Sequence, residues 1–408
     1  MLLPDVLLLI ALSEEAEHDE AEEALLFAAY LTAAQNVNLG LRCRNTLMTS
    51  DLIAPERSPW YSLLRSENDE AFQAVLGVDV AGFRGLLSTF SEHYIVLAGP
   101  GRRGRPTTVR DKSAALSLVL HYYRTQVPNN NLCELYGVPP ATLVRTMRKA
   151  EIALQKALAQ LPASQISWPT KAEQKLMAAR VQARHPRVLG CFGFVDGKNF
   201  RTQEPSNSQL QNAYYNGNRS ILSSPTFSCV HRSHGRVSGL CKGQKLIVIV
   251  GWLHSVFVTG VFVFGADGCV VWGKHNHPGS WNDAEMSRPL QEKLLDTSLT
   301  AIGHGLLADT AFPTLDGKII TPLKQSDWAA VPADILECVQ VTNRQVITAR
   351  QAAEWGMGAV QKIFRRLQQP LHWDKDTRAR QLNNIYRLYN YRVRTTGISQ
   401  IRSVYYNS

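Results

Sequence analysis

The chain has 408 residues, of which 45 % are hydrophobic, and a formal net charge of +10. This length exceeds one ordinary core and predicts two domains with appendages, and the apolar fraction is typical of a globular protein. The excess of positive charge favours nucleic acid as partner before a membrane surface. The apolar run at residues 2–12 is too short to span a bilayer and lacks the basic flank of a signal peptide, so we expect no membrane association.

The first 56 residues form a predicted helical, acidic extension. Residues 14–23 carry seven acids and neither Lys nor Arg, which is typical of a solvated helix face. The chain has seven cysteines, and no two of them stand at CxxC spacing. This pattern favours a reducing intracellular compartment over a disulfide or zinc framework.

Residues 57–165 are predicted to form a helical domain that resembles a helix-turn-helix unit. Residues 57–95 have helix-period apolar spacing, with Asn68-Asp69 as a cap. A basic linker follows, and its RGRP core either lies in a DNA minor groove or is a hinge. The arginines of this linker are Arg102, Arg103 and Arg105.

Three further helices are predicted after the linker. Their ranges are Asp111–Arg124, Leu132–Tyr136 and Ala141–Leu161, with Gly137 as the turn before the third. The last two helices read as a helix-turn-helix whose second helix meets DNA. Arg145, Arg148 and Lys149 on its early turns are the candidate DNA contacts. Such units are also common in helical domains that bind nothing, so this alternative stays open.

After Pro162 the pattern changes to strands and helices. The first predicted strand is the apolar run within Val188–Arg201 that breaks at Asp196-Gly197. The other predicted strands are Trp252–Phe264, Cys269–Lys274 and Gly305–Asp309, and the predicted helices are Asn282–Leu295, Ala349–Leu367 and Arg378–Arg394. Ala266-Asp267-Gly268 is a hairpin signal between the second and third strands. The order predicts an α/β fold with a mixed sheet.

Two of the predicted strands end on an aspartate, Asp196 and Asp309, and Glu354 stands on a later helix. Each aspartate alone is an ordinary strand-end turn residue. Neighbouring strands would bring the two together, and the helix would add the third carboxylate. Three crowded carboxylates repel one another unless a cation neutralises them. Oxygen ligands suit Mg²⁺ or Mn²⁺, and two such ions serve phosphodiester chemistry.

The chain resembles the PIF/Harbinger DDE transposases and their domesticated derivatives. The matching blocks are FVDGKNFR, NHPGSWNDAEM, LLADTAFP and RQAAEWGMGAVQKIFRRLQQPL, followed by NNIYRLYNYRVR. The resemblance runs from about Pro59 to the C-terminus. It implies an RNase H-like nuclease domain at residues 185–370, with strands and helices in βββαβα order. An N-terminal all-helical domain precedes it, and a C-terminal helical segment at 371–408 follows.

The resemblance assigns roles residue by residue. Asp196, Asp309 and Glu354 correspond to the three catalytic, metal-binding carboxylates. Asp283 corresponds to a recurrent acidic position and either orients groups near the site or caps a helix. Lys198 and Arg201 follow the first aspartate and either hold a phosphate or belong to a solvated strand end.

The implied activity is that of a metal-dependent DNA endonuclease or transposase. Two outcomes stay open, cleavage alone and cleavage followed by strand transfer. The alternative is a catalytically inactive, domesticated DNA-binding or scaffold protein. The chain lacks a GxSxG elbow and a P-loop, which leaves an unrelated hydrolase without support. Relatives of this kind often work with a separate Myb-like DNA-binding protein, so DNA, such a partner and a second copy of the chain are the expected partners. The expected location is the nucleus, with the cytoplasm as the alternative.

One segment departs from the family pattern. In such relatives the run resembling residues 212–217 passes directly into one resembling residues 252–255, whereas here residues 218–250 intervene. This insert carries five basic residues and no acid, so the chain without it would have a net charge of +5. Two interpretations stay open, a retained in-frame intron and a genuine surface loop.

Overall fold

The computed structural model describes residues 47–96, 109, 111–203, 256–279, 281, 283–315 and 317–406. The chain divides into two compact units, Met1–Leu52 and Ile53–Ser408. In the first unit the described part contains the 3₁₀ turn Thr49–Asp51. All helices and strands named below belong to the second unit.

Helices fill the described part of the second unit before the sheet. They are α1 (Pro59–Ser66), α2 (Asp69–Leu76), α3 (Val80–His93), α4 (Lys112–Arg124), α5 (Asn129–Tyr136), α6 (Pro140–Gln160) and α7 (Lys171–Arg184). The Asn68 side chain accepts a hydrogen bond from the Ala71 N–H at 3.0 Å, which confirms the predicted cap of α2. Asp111 accepts from the Ser113 N–H at 2.8 Å and starts α4 in the same way. Such caps satisfy backbone donors that the first turn leaves without partners.

The predicted helix-turn-helix segment forms α5 and α6, which pack against each other and against α4. Gly137 ends α5 with a φ of 64°, in the left-handed region. A Cβ atom at this position would overlap the carbonyl oxygen of Ile53 and lie 3.0 Å from the nitrogen of Pro55. The turn therefore requires glycine for its backbone conformation and for the close approach of a neighbouring segment.

The described strands form one mixed sheet in the order β3-β2-β1-β4-β5. The strands are β1 (Cys191–Thr202), β2 (Val256–Gly265), β3 (Val270–Pro278), β4 (Gly305–Leu307) and β5 (Ile319–Ile320). β1 pairs antiparallel with β2, and β2 with β3, whereas β4 runs parallel to both β1 and β5. The turn from Ala266 to Cys269 joins β2 to β3, which confirms the predicted hairpin. The α/β class and the mixed sheet are confirmed.

Helices cover both faces of the sheet. The remaining ones are α8 (Asp283–Leu295), α9 (Leu336–Ile363), α10 (Lys375–Thr396) and α11 (Gln400–Tyr406). The Phe264 ring on β2 lies against Gly356 of α9 and Tyr389 of α10. A Cβ atom on the next residue, Gly265, would lie 3.3 Å from Met177 of α7. Because successive strand residues point to opposite faces, α9 and α10 cover one face and α7 the other.

Several predicted boundaries are wrong. The third strand extends to Pro278 instead of ending at Lys274, and the fourth ends at Leu307 instead of Asp309. β1 does not end at Asp196 but continues to Thr202, because β2 offers a partner to every residue from Gly193 onward. The helix predicted over Ala349–Leu367 is α9, which begins at Leu336 and ends at Ile363. Its first turns contain β-branched residues of low helix propensity, and tertiary packing overrides that local preference. α7, β5 and α11 are additional elements that the sequence patterns do not predict.

Within the described ranges, no individual helix has both the length and the apolar character to cross a bilayer. The bent pair α2 and α3 passes the same test of length and composition only when its two helices are taken together. The largest apolar side chains of this pair are buried in the protein core, among them Phe72, Leu76, Phe83, Leu86 and Phe90.

Candidate active site

Asp196 lies in the middle of β1, where its Cα atom pairs with that of Phe262 on β2. The five residues before it in the strand are fully buried, and the strand becomes half-buried from Asp196 to Lys198. Paired residues of neighbouring strands project to the same face of the sheet. The Tyr386 ring of α10 stacks on Phe262 with centroids 3.9 Å apart. Asp196 therefore emerges on the face that α9 and α10 cover.

Asp309 follows β4, and the register of β4 with β1 relates it to Asp196. Phe194 pairs with Leu307, and each aspartate stands two residues beyond this pair. Equal offsets on neighbouring parallel strands lead to the same face, with backbones about 5 Å apart. The Ala308 N–H donates to the Ile320 carbonyl at 3.0 Å, so β4 still follows β5 at this point. The register of β1 and β4 therefore leads toward neighbouring backbone positions for Asp196 and Asp309, and Asp309 lies just beyond the last residue of β4.

Glu354 lies on α9, and a glycine two residues later sets how closely that helix approaches the sheet. A Cβ atom on Gly356 would lie 2.7–2.9 Å from three atoms of the Phe264 ring. This contact allows α9 to lie directly on β2, one strand away from Asp196. The Glu354 carboxylate pairs with Arg350, one helical turn earlier, at 2.9 Å.

The electrostatics of Asp196 reflect this crowded position. Burial raises the pKa of the Asp196 carboxyl to about 6, and the negative charge of Glu354 adds to the increase. A hydrogen bond from the Gly197 backbone and the positive charges of Lys198 and Arg350 oppose it. Asp196 and Glu354 therefore interact. The groups that stabilise the charged form of Asp196 do not offset its loss of hydration on burial, so its pKa stays raised.

Aromatic side chains of the core pack beneath Asp196. The Tyr386 hydroxyl donates to the Met357 sulfur at 3.5 Å, and burial together with the charge of Asp196 raises the pKa of Tyr386. The His275 ring stacks on Phe262 with centroids 5.8 Å apart. Burial lowers the pKa of His275 to about 4, so this ring is neutral at physiological pH.

In the conformations that their side chains adopt, the three predicted carboxylates do not form a complete metal-binding site. In the part of the chain that the structure describes, no three His, Cys, Asp or Glu side chains converge closely enough to hold a metal ion. Glu354 is turned toward Arg350, and Asp309 accepts a hydrogen bond from the Thr310 N–H at 2.7 Å. The donors nonetheless fit a hard divalent cation in type, because all are carboxylate oxygens. The buried Asp196 carboxyl is also a group that a cation would stabilise.

For Lys198 and Arg201 the sequence leaves two roles open, holding a phosphate beside Asp196 or belonging to a solvated strand end. Lys198 stands two residues after Asp196 on the same face, and its charge acts on the Asp196 carboxyl. Arg201 is exposed on the opposite face of β1, so the structure separates it from the carboxylates. Phosphate binding by either residue stays a prediction.

The predicted DNA contacts on α6 lie on its exposed face, which carries Arg145, Arg148 and Lys149. The Arg145 Nε donates to the Ala141 carbonyl at 3.0 Å, within the same helix. The buried face of α6 packs on α3, α4 and α10. These positions leave the three cations available to a partner, and DNA contact stays a prediction.

Several predicted features fall outside the described residues. They are Arg102, Arg103 and Arg105 of the basic linker, the insert at residues 218–250, and the side chain of Asp283. The Asp283 backbone forms the first residue of α8, where an acidic side chain is favoured by the helix dipole.

The sequence patterns missed three residues that shape the site: Arg350, Gly356 and Tyr386. Arg350 and Glu354 stand four residues apart, which is the spacing of a helical ion pair and a signal that the sequence contains. Gly356 breaks a good helix-forming run, which also hints at a close contact. Nothing in the sequence relates Tyr386 to Asp196, because only the packing of α10 on the sheet brings them together.

Part of the second half of the chain matches a known protein-family model. Residues 249–390 match the family model described as DDE superfamily endonuclease. The match covers about a third of the chain and includes Asp309 and Glu354. Asp196 lies before the matched range, so its link to the other carboxylates rests on the register of β1 and β4. No curated protein and no solved structure matched the chain.

Proposed function

We propose that this chain is a metal-dependent DNA endonuclease of the transposase type, with Asp196, Asp309 and Glu354 as its catalytic carboxylates. The observation that carries the proposal is the register of parallel β1 and β4, in which the paired residues Phe194 and Leu307 stand two positions before Asp196 and Asp309. The interaction of Glu354 with Asp196 supports the third member. The match of residues 249–390 to the DDE superfamily endonuclease model supports the reaction class.

The three carboxylates would hold Mg²⁺ or Mn²⁺, most simply as a pair of ions. Such ions, when bound, polarise a phosphodiester and stabilise the charges of the attacking and leaving oxygens. For the third ligand to join, the exposed Glu354 side chain has to leave Arg350 and turn toward Asp196. Arg350 would then be released to face the phosphate backbone, while Lys198 would stay beside the first aspartate.

The more specific parts of the proposal follow from the resemblance of the sequence to the PIF/Harbinger transposases. We infer an RNase H-like core, which the strand order β3-β2-β1-β4-β5 supports, and a relationship to the PIF/Harbinger type. Nuclear location, a Myb-like DNA-binding partner and self-association belong to the same proposal. The exposed cations of α6 are its proposed DNA contacts outside the sheet.

A catalytically inactive DNA-binding protein is the second candidate. The ion pair between Arg350 and Glu354 favours it, because this pair satisfies Glu354 without a metal ion. In that case the chain would bind DNA, and divalent ions would bring no cleavage.

The decisive test is cleavage of supercoiled and linear DNA by the purified chain with Mg²⁺ or Mn²⁺. We expect Asp309→Asn to lower the cleavage rate about 100-fold or more, because the neutral amide cannot replace a charged metal ligand. Asp334→Asn is the matched control, since Asp334 is exposed and lies outside the proposed site. DNA binding without metal-dependent cleavage in the wild type would favour the second candidate.

A further inference from the structure

Two tryptophans stand out on the surface near the end of β3, and a histidine supports each of them. Trp281 is 39 % exposed and its ring lies 4.8 Å from that of His277. Trp373 is 54 % exposed and its ring stacks on His372 with centroids 5.5 Å apart. The Lys274 ammonium group lies 5.6 Å from the Trp281 ring. We call Lys274, His277, Trp281, His372 and Trp373 the stacking surface.

A strained residue sets the direction of His277. Asn276 has a φ of 67°, which is uncommon for a residue other than glycine. The pairing of β3 with β2 shifts register in the same stretch, between Thr259 and Val261. Bulges of this kind redirect the side chains that follow them, and they are frequent beside functional sites. The Trp281 N–H donates to the Pro278 carbonyl at 3.0 Å, which holds the turn after the strand.

A buried arginine ties the two halves of the stacking surface together. Arg378 is 1 % exposed, and its Nε donates to the Oδ1 of Asn276. Its NH1 donates to the carbonyl oxygens of His372 and Trp373, both at 3.0 Å. The Asn276 amide donates to the Lys375 carbonyl at 2.9 Å. The buried guanidinium bonds to the Asn276 side chain on one side and to the backbone of His372 and Trp373 on the other, so it links the segments that carry the two exposed tryptophans.

The stacking surface lies at the same end of the sheet as the carboxylates. β1, β3 and β4 run in one direction, so their carboxyl ends share one edge. His277 pairs with Thr259, which pairs with Asn199, three residues along β1 from Asp196. Because successive strand residues alternate between the faces, His277 projects from the face of the sheet opposite to that of Asp196. Strand spacing and rise place His277 about 15 Å from Asp196. That distance is about four stacked nucleotides of one strand.

We propose that the stacking surface binds unpaired nucleotides of DNA, holding a separated strand at the end of the sheet where the carboxylate site lies. Exposed aromatic rings bind bases by stacking, which requires bases that are free of a duplex. Lys274 adds a positive charge beside Trp281. The Asp374 carboxylate, next to Trp373, accepts a hydrogen bond from the Thr377 N–H at 2.9 Å and caps α10. The choice of DNA over RNA rests on the proposed nuclease function.

The test measures binding of the full chain to a fluorescently labelled unpaired DNA oligonucleotide, to an RNA of the same sequence and to a blunt duplex. We expect Trp281→Ala and Trp373→Ala each to weaken binding of the unpaired DNA about tenfold, with duplex binding unchanged. Trp281→Phe should retain much of the affinity, since a smaller ring still stacks. Trp328→Ala is the matched control, because this half-buried tryptophan lies in the separate 3₁₀ turn Gln325–Ala330.

Unchanged binding of unpaired DNA by both alanine variants overturns the proposal, as does equal loss of duplex binding or a preference for RNA. Metal-dependent cleavage by the wild type is measured in parallel. If cleavage occurs while the tryptophan variants bind normally, the stacking surface fails and the nuclease function stands. If cleavage never occurs but the variants lose unpaired DNA, the stacking surface stands and the nuclease function fails.

Discussion

At the scale of single residues, Asp196 shows how its position in the sheet changes the chemistry of a carboxyl group. The sequence predicts a strand end at the Asp-Gly pair, where water would keep the group ionised. The structure continues the strand to Thr202 and places the carboxyl under two helices. The residue type was predictable from its motif, but its burial depends on β2 and α10, which are distant in sequence.

This burial gives a pH dependence that can be measured without divalent ions. The native pKa of Asp196, about 6, lies above its ordinary value of 3.8. Between pH 4 and 6 the native state therefore holds a proton that the unfolded chain has lost, and the free energy of unfolding falls as the pH rises. We expect Asp196→Asn to be about 3 kcal/mol more stable than the wild type above pH 7 and equally stable below pH 4.

Urea unfolding in EDTA across pH 4 to 8 measures this difference. The comparison of the two proteins cancels the other titrating groups, including Glu151, whose pKa burial raises. An identical pH dependence in both proteins would show that Asp196 titrates as an exposed carboxyl.

At the scale of secondary-structure elements, capping residues in the sequence predict where helices begin. The sequence predicts less well which segments the helices and strands contact. Asn68 and Asp111 are short polar side chains that cap the residues after them, so the nearby sequence contains the information. The two-residue strand β5 has no pattern of its own and exists because β4 lies beside it. The register of β1 against β4, on which the site depends, also follows from packing between distant segments.

The contact of α9 with β2 yields a prediction at this scale. In Gly356→Ala the new methyl group would lie 2.7–2.9 Å from the buried Phe264 ring, so α9 has to move outward. We expect a loss of about 1–3 kcal/mol in the free energy of unfolding, together with reduced cleavage as Glu354 moves away.

Gly358→Ala provides the matched control on the same helix. A Cβ atom there would meet nothing within 4 Å, so alanine should raise stability by up to about 1 kcal/mol through helix propensity. Urea midpoints and cleavage rates of both variants test the pair. Equal effects of the two substitutions would mean that α9 does not depend on a close approach at Gly356.

At the scale of the whole molecule, much of the positive charge serves the structure. Arginines of α10 bond to the backbone of other segments: Arg387 donates to the Leu158 carbonyl at 3.3 Å, and Arg394 to those of Ala163 and Gln165 at 2.9 and 2.8 Å. A net charge of +10 therefore overstates the surface that DNA could meet. Composition alone cannot distinguish arginines that cap loops from arginines that face a partner.

The helices before the sheet and the sheet with its covering helices share one core, whereas the sequence predicts a domain boundary near residue 165. The Tyr391 hydroxyl of α10 donates to the Gly82 carbonyl at 2.7 Å, and Asn384 donates to the Glu151 carbonyl at 3.1 Å. Arg124 of α4 donates to the carbonyl of Ile363, the last residue of α9, at 2.7 Å. Removing the helical part would leave these polar groups and the apolar face of α10 without partners.

We therefore expect a fragment of residues 166–408 to lack a cooperative unfolding transition, because buried polar groups without partners and newly exposed apolar surface both destabilise it. Deletion of residues 1–52, the other compact unit, is the matched control and should leave the thermal midpoint of the remaining chain unchanged. Calorimetry of the full chain and both truncations measures this, with one transition expected for residues 53–408. A 166–408 fragment that unfolds cooperatively by itself would instead support two independent domains, with the carboxylate site able to form without the helices that precede it.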